Sequence, residues 1–472
     1  MNLKEWEALI DEDPDEAGRQ AALILDKEPD NPLALFVIAT VYSRAEIFGV
    51  AANMFQRICQ ISPDRHEAWN NLGMCFAGMG QNLKARRCFE QAWKLTDGAM
   101  AASNIGMTYF SERDFKNARK WCETALKKEP NSASAKTTLG MTKLSVGEWS
   151  DGWELYASSV GGKFRKNIQY QDEPMWDGSP GKTVVFYGEQ GIGDEVMYAS
   201  CIPDAVKTCK SVIIDCDKRL VNLFKRSFPQ AHVYGTRTDK AVSWPLDHQI
   251  DARLPVGQLP QFFRPSPSSC PGTPYLVADP ERRLQWRALF DSWGPRPKIG
   301  LCWSGGSKYN KPAERNIGFE AMRPLLELDA DFVSLQYKDT NGIEIKHYKR
   351  ATETDDYDDT AALVAELDLV IGVHTSAQHL AGALGIPSIT LVPSRTIWVW
   401  SLDPMPWYGS TALFRQKEGE AWAQTIKRLL NDCEAIRGLR PQGDSGVSRL
   451  LSISDPARNK PGHVHTFGTQ AA

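Results

Sequence analysis

No apolar run in the 472 residues approaches the ~18–20 needed to span a bilayer. The opening stretch, Met1 to Glu12, is acidic and lacks the apolar segment of a secretory signal. Neither sign of charge dominates. The 55 Lys and Arg against 58 Asp and Glu leave a net charge of −3, which excludes a strongly basic nucleic-acid binder and makes nucleic acid an unexpected partner. The ten cysteines form no Cys-x-x-Cys pair and mostly fall inside apolar periodic segments. They read as reduced, buried small hydrophobes, not as a disulfide framework or a structural zinc site. What is present is 42% hydrophobic and 24% charged, a globular composition that excludes a disordered or collagen-like chain. At ~100–200 residues per domain the length implies two to four domains. The expectation is a cytoplasmic chain with no membrane span, no metal and no bound cofactor.

The N-terminal third repeats itself. Trp69, Leu72, Gly73, Phe76, Ala85, Phe89 and Ala92 set a pattern. Ala39, Tyr42, Ala51, Phe55 and Pro63 match it one period earlier, with Phe55 answering to Phe89. Gly106, Tyr109, Ala118, Cys122, Ala125 and Pro130 match it one period later, with Ala118 answering to Ala85. The next period reaches Leu139 and Gly140, where the pattern decays, and Pro29 one period before Pro63 marks residues 1–31 as a degenerate starting repeat. Small residues at the eighth and twentieth positions let two helices approach closely, aromatics fill the groove between pairs, and proline ends the second helix. Residues 1–158 resemble the tetratricopeptide repeat family. Two uses stay open: a concave docking surface for a protein or other extended partner, and a scaffold that packs on the next domain.

Residues 145–182 lose helical period to turn residues, so 159–182 read as a hinge and Trp176 as a packing anchor between domains. From Lys182 short β-branched runs alternate with helical stretches. Strands are expected at 183–187, 211–215, 298–303, 332–335, 367–371 and 388–392, and helices at 194–208, 217–227, 376–384 and 419–432. Such alternation argues for parallel sheets covered on both faces. The fold class is therefore α plus α/β: a helical solenoid followed by two Rossmann-like lobes, 183–270 and 271–435, with the Pro-rich stretch from Leu259 to Pro280 linking them. Residues 436–472 are rich in Gly, Ser, Pro and Arg without periodicity and are expected to be a disordered tail.

Three turns carry residue types suited to chemistry. Tyr187-Gly188-Glu189-Gln190-Gly191-Ile192-Gly193-Asp194-Glu195 follows the first strand and exposes backbone amides at a helix start. It is not the dinucleotide fingerprint, because Gly-x-Gly-x-x-Gly is missing there. Asp194 has two readings: a helix cap, or a general base acting on an acceptor hydroxyl. The run Ser304-Gly305-Gly306-Ser307-Lys308-Tyr309-Asn310-Lys311, followed by Arg315, suits a diphosphate, whose charge needs amides and cations; a surface loop with solvated lysines is the alternative. In Val373-His374-Thr375-Ser376-Ala377-Gln378-His379 a strand ends, hydroxyl residues supply an N-cap, and the start of a helix at the carboxyl edge of a parallel sheet is a usual place for nucleotide phosphates. His374 and His379 lack a nearby carboxylate, which argues against a metal pair.

Several of these strings together are similar to family 9 glycosyltransferases, the heptosyltransferase-like enzymes. The match lies in Glu189-Gln190-Gly191-Ile192-Gly193-Asp194, in Ile299-Gly300-Leu301-Cys302-Trp303-Ser304-Gly305 and in His379-Leu380-Ala381-Gly382-Ala383-Leu384-Gly385-Ile386-Pro387. Asp359 to Ala365, Pro406-Trp407-Tyr408 and Phe414-Arg415-Gln416 follow the same pattern, and the resemblance covers about residues 148–432. It implies a GT-B arrangement with an acceptor-side first lobe and a donor-side second lobe. The implied reaction is inverting, metal-independent transfer of a sugar from a nucleotide-diphosphate sugar to the hydroxyl of an acceptor glycan or protein. Asp194 matches the family's base. Ser304, Gly305, Lys308 and Lys311 fall in the loop supporting the donor diphosphate, as do Thr375, Ser376 and His379 in the phosphate turn. Gln336 and His374 are further donor-side candidates. His374 stands where the family usually has Asp, and Val399 where it tends to have Arg. The alternative is therefore a non-catalytic tetratricopeptide adaptor with a degenerate nucleotide-sugar module.

Overall fold

The computed structural model describes residues 2–162, 165–239, 242, 244–305, 316–337 and 342–432. The loop bearing Lys308 and Lys311 and the expected C-terminal tail lie outside the described residues. The chain divides into two compact units. One comprises residues up to Lys143 with Glu154–Ser159, the other Leu144–Trp153 with residues from Val160 onward.

The first unit is a solenoid of antiparallel helices. Leu3–Glu12 and Pro14–Leu25 open it, and the pairs Pro32–Arg44/Phe48–Ile61, His66–Gly78/Asn82–Thr96 and Ala99–Ser111/Phe115–Lys128 follow. The repeat spacing has the expected physical meaning. A Cβ on Gly73 would stand 2.5 Å from the Phe89 ring of the paired helix, and one on Gly106 would stand 2.6 Å from Cys122 Sγ. Only glycine permits that approach. Ala51, Ala85 and Ala118 at the twentieth position are completely buried, as is Phe55. Asn31 caps the Pro32 helix by accepting from the amides of Leu33 and Ala34, with proline at the first position, where no amide proton is needed.

The second unit contains two wholly parallel sheets. The first holds β1 (Thr183–Tyr187), β2 (Ser211–Asp215), β3 (His232–Tyr234) and β4 (Ala252–Pro255) in the order β3-β2-β1-β4. The second holds β5 (Lys298–Cys302), β6 (Asp331–Ser334), β7 (Lys346–His347), β8 (Leu369–Val373), β9 (Ser388–Val392) and β10 (Thr411–Arg415) in the order β10-β9-β8-β5-β6-β7. Every residue of β1, β5, β8 and β9 is buried, so both faces are covered, as near-continuous apolar strands require.

Of the strands absent from the expected set, β3, β4 and β7 are short, with three, four and two residues, whereas β10 is a five-residue, largely buried strand. β4 is an edge strand ending in Pro255, a residue that cannot donate to a ladder and is tolerated only at such an edge. The helix expected at 194–208 divides into Ile192–Tyr198 and Ile202–Thr208 around a tighter turn, because Pro203 re-initiates it. The segment from Arg165 to Trp176, expected within a hinge, runs along the first sheet. Met175 bridges Arg253, and the Trp176 indole is buried on Phe186 and Phe262. The described cysteines are all free, and seven of the nine are buried. No described helix is long and apolar enough to cross a membrane.

Candidate functional site

Strand order alone says where a ligand would lie. In the second sheet the chain leaves β5 toward β6 and β7 and then returns to β8 on the other side of β5, so the crevice beyond the carboxyl ends of β5 and β8 is a topological switch point. Ser304 and Gly305 follow β5, His374 and Thr375 follow β8, and Gln336 follows β6. In the first sheet the switch falls between β1 and β4, where the turn 188–191 leads into the 192–198 helix.

These two places meet. The 192–198 helix packs on the helix Ser376–Leu384. A Cβ on Gly193 would stand 3.1 Å from His379 Cδ2 and 3.3 Å from Ser376 Cα. Asp194 is thereby carried by one lobe to the N-terminus of a helix of the other. Its Oδ2 accepts from the Gly191 amide at 3.1 Å, so the capping reading of Asp194 holds. Burial pushes its carboxyl from the ordinary 3.8 up to about 6, with the Gly191 amide opposing, Glu189 adding to the rise and Arg165 reducing it. A carboxyl so tuned is the kind suited to taking a proton near neutral pH.

The turn that presents Asp194 is held by ion pairs. Arg165 Nε and Nη2 donate to Glu189 Oε1 at 3.0 and 2.6 Å, with both side chains buried. Arg237 Nη1 donates to the Gln190 carbonyl at 2.6 Å and lies 2.9 Å from Glu195 Oε1, while its Nη2 donates to Asp217 Oδ2 at 2.9 Å. Burial raises the Glu195 carboxyl to about 8 against the pull of Arg237 and the Asp217 amide. Asn167 Nδ2 donates to the Gly188 carbonyl at 3.2 Å. Sequence reading missed Arg165 and Arg237, since nothing in their local pattern distinguishes them from surface arginines.

On the second lobe Gln336 Oε1 accepts from the amides of Trp303 and Ser304 at 3.2 and 3.0 Å, and its Nε2 donates to Ser304 Oγ at 2.7 Å. Gln336 thus organises the exit from β5, with its amide engaged there. The Gly305 amide donates to Asn316 Oδ1 at 3.0 Å, and a Cβ on Gly305 would stand 2.6 Å from Thr375 Cγ2. Ser304, Gly305, Gln336 and Thr375 therefore gather at one crevice. Thr375 corrects one expectation. It occupies the N-cap position of the 376–384 helix, but its side chain makes no cap hydrogen bond and its hydroxyl lies 3.5 Å from Cys302 Sγ. Burial pushes the Tyr357 hydroxyl up to about 12, with the Ser376 side chain opposing the rise. His374 is buried with its ring 6.2 Å from that of Trp400. His379 is buried on Trp400 at 4.9 Å, and its Nδ1 lies 2.8 Å from the Tyr408 hydroxyl. Burial lowers its imidazole to about 3, so the ring is neutral. Gln378 lies beneath the helix, accepting from Thr390 Oγ1 at 3.0 Å. A cavity of about 310 Å³ beside Trp303 and Ser304 is lined further by Asn316, Phe319, Glu320 and Ile343. Among the described residues no group of three or more His, Cys, Asp or Glu is placed to hold a metal ion.

Compared with known proteins, residues 66–96 and 101–132 match the tetratricopeptide repeat family. Protein FlbA of Caulobacter vibrioides is 28% identical over 399 residues, covering 78% of this chain and 67% of FlbA. Among solved structures, MamA is 18% identical with a TM-score of 0.30, covering 33% of this chain and 91% of MamA. PilW, a type IV pilus biogenesis factor, is 21% identical with a TM-score of 0.31, covering 35% of this chain and 78% of PilW.

Proposed function

We propose that the chain is an inverting glycosyltransferase in which the two lobes form a GT-B crevice and the repeats position an acceptor or a protein partner. One observation carries the reading. A carboxyl raised to about 6 stands in the first lobe's Gly-rich turn, and that turn lies against the helix start at the second lobe's switch point. The resemblance of the three turns to family 9 glycosyltransferases supports it. In the proposed step Asp194 takes the proton of an acceptor hydroxyl, and that oxygen forms a bond to the anomeric carbon on the face opposite the leaving group. The bond from the anomeric carbon to the phosphate oxygen breaks, and its electron pair departs on the nucleoside diphosphate. The leaving group gains charge as this happens. Amides at the start of the 376–384 helix and the cations Lys308 and Lys311 would therefore act most strongly in the transition state, without a divalent metal.

The test is donor turnover by the full chain against Asp194→Asn, with UDP-, GDP-, ADP- and dTDP-sugars as candidate donors and thermal shift as the binding readout. Loss of turnover with retained binding is the expected result. His374, at the place where the family carries Asp, favours the second reading, a nucleotide-sugar-binding adaptor; binding without turnover in the unaltered chain would establish that instead.

A further inference from the structure

The segment that joins the lobes is stitched to the second lobe by its backbone. The Gly409 amide donates to the Gly272 carbonyl at 2.8 Å, and the amides of Tyr275 and Leu276 donate to the Ala383 carbonyl at 3.0 and 3.1 Å. Ala383 lies near the C-terminal end of the 376–384 helix, and a Cβ on Gly385, at φ +77°, would stand 2.4 Å from Pro274 Cγ. From that fixed base the Tyr275 side chain reaches back to the first lobe. Its hydroxyl donates to the Val196 carbonyl at 2.8 Å, with the Met197 carbonyl at 3.4 Å. Both carbonyls belong to the 192–198 helix, whose last turn gives way to the tighter turn 199–201. Val196 is fully buried, and a buried carbonyl without a donor is costly. Asp194 stands two residues before it in the same helix.

The Asp194 helix is therefore set against the 376–384 helix at both ends. At its start Gly193 closes on the other helix, where an added Cβ would stand 3.3 Å from Ser376 Cα and 3.1 Å from His379 Cδ2. At its end Tyr275 spans from Ala383 to Val196. A helix of seven residues has little stability of its own, so such end contacts decide where it sits. The lobes have a separate clasp. Arg226 Nη1 and Nη2 donate to Asp358 Oδ1 and Oδ2, each at 2.8 Å, and Asp358 lies in the first turn of the second lobe's helix Tyr357–Ala365. Removing the Tyr275 hydroxyl thus leaves the lobes joined and frees one end of the Asp194 helix. We infer that Tyr275 is a positioning residue: its hydroxyl holds Asp194 in register with the start of the 376–384 helix, so that the base and the donor diphosphate meet the acceptor together. The effect on turnover rests on the proposed function; the bracing of the helix does not.

Two measurements on the full chain separate these points. Without ligand, hydrogen exchange followed by mass spectrometry reads the 192–198 helix directly. Tyr275→Phe should speed exchange across that helix about tenfold and leave β1, β5 and β8 unchanged. Unchanged exchange in the helix, or faster exchange throughout both sheets, overturns the bracing. The second measurement uses whichever of the UDP-, GDP-, ADP- and dTDP-sugars the unaltered chain turns over. Tyr275→Phe should lower kcat about 10–100-fold while the KM for that donor changes by less than about twofold. Unchanged kcat in a folded variant, or a raised KM with kcat retained, overturns the positioning role. Tyr275→4-aminophenylalanine restores a donor at the same place and should bring kcat back to within about threefold of the unaltered chain. Failure to recover overturns the assignment to the hydroxyl. That variant also carries the test should Tyr275→Phe fail to fold, retained kcat being the supporting result and lost kcat the refuting one. If the unaltered chain turns over no sugar nucleotide, the proposed function fails and takes the positioning role with it, whereas the bracing, read without ligand, is decided separately.

Discussion

Replacing Asp194 by asparagine should stabilise the protein while removing its proposed chemistry, and the two effects can be read apart. The carboxyl is raised by burial from 3.8 to about 6. A folded-state value above the unfolded one means that the native protein holds the proton more tightly. Stability is therefore highest below about pH 4 and falls as pH rises from about 4 to about 6, where the ionised group must be kept out of water. A shift of about two units corresponds to at most ~3 kcal/mol. Asparagine is nearly isosteric and still accepts from the Gly191 amide that holds Oδ2 at 3.1 Å, so it relieves the charge without losing the cap. Thermal melts of both proteins at pH 4 and pH 8 test this. The variant should gain about 1–3 kcal/mol over the unaltered chain at pH 8 and match it at pH 4. A variant less stable at pH 8, or a difference independent of pH, would refute the claim that Asp194 is held ionised at a cost. In the same pair of proteins, donor turnover should rise with pH through about 6 in the unaltered chain and be absent in Asp194→Asn.

Further outcomes follow from the packing. Arg165→Met strands the buried Glu189 carboxylate and should cost about 3–5 kcal/mol in urea unfolding of the α/β unit, with most of it recovered in Arg165→Met/Glu189→Gln; no recovery would show that the pair is not the origin of the loss. Gly372→Ala places a Cβ against Cys302 Sγ and the Cys302 carbonyl on the neighbouring strand, so β5 and β8 must separate at the site; a loss of about 1–3 kcal/mol or more is expected in the same assay. In the solenoid, Phe55→Ala removes a fully buried ring and should lower stability by about 3–5 kcal/mol, measured by circular dichroism melts, without altering donor binding to the α/β unit.

Periodicity was enough to identify the repeats, because the requirement is local: Gly73 and Phe89 must fit within one helix pair, and that demand returns with each successive pair, as Gly106 and Cys122 show. Runs such as Thr183-Val184-Val185-Phe186-Tyr187 and Leu367-Asp368-Leu369-Val370-Ile371 declared strands by themselves, since a strand covered on both faces needs no alternation, although the second begins two residues later, at Leu369, and ends at Val373. The glycine turn before Asp194 and the small-residue helix after Thr375 were equally legible as sites of exposed amides. What composition and spacing could not decide was partnership over long sequence separations. Arg165 meets Glu189 and Arg237 holds Gln190 only once the first sheet has brought their segments together, and the Tyr275 hydroxyl reaches the Val196 carbonyl only in the folded α/β unit. An arginine or tyrosine carries no mark in its own neighbours of the buried acceptor it will find, and a carboxyl acquires its raised affinity for a proton only once the fold has taken water from around it.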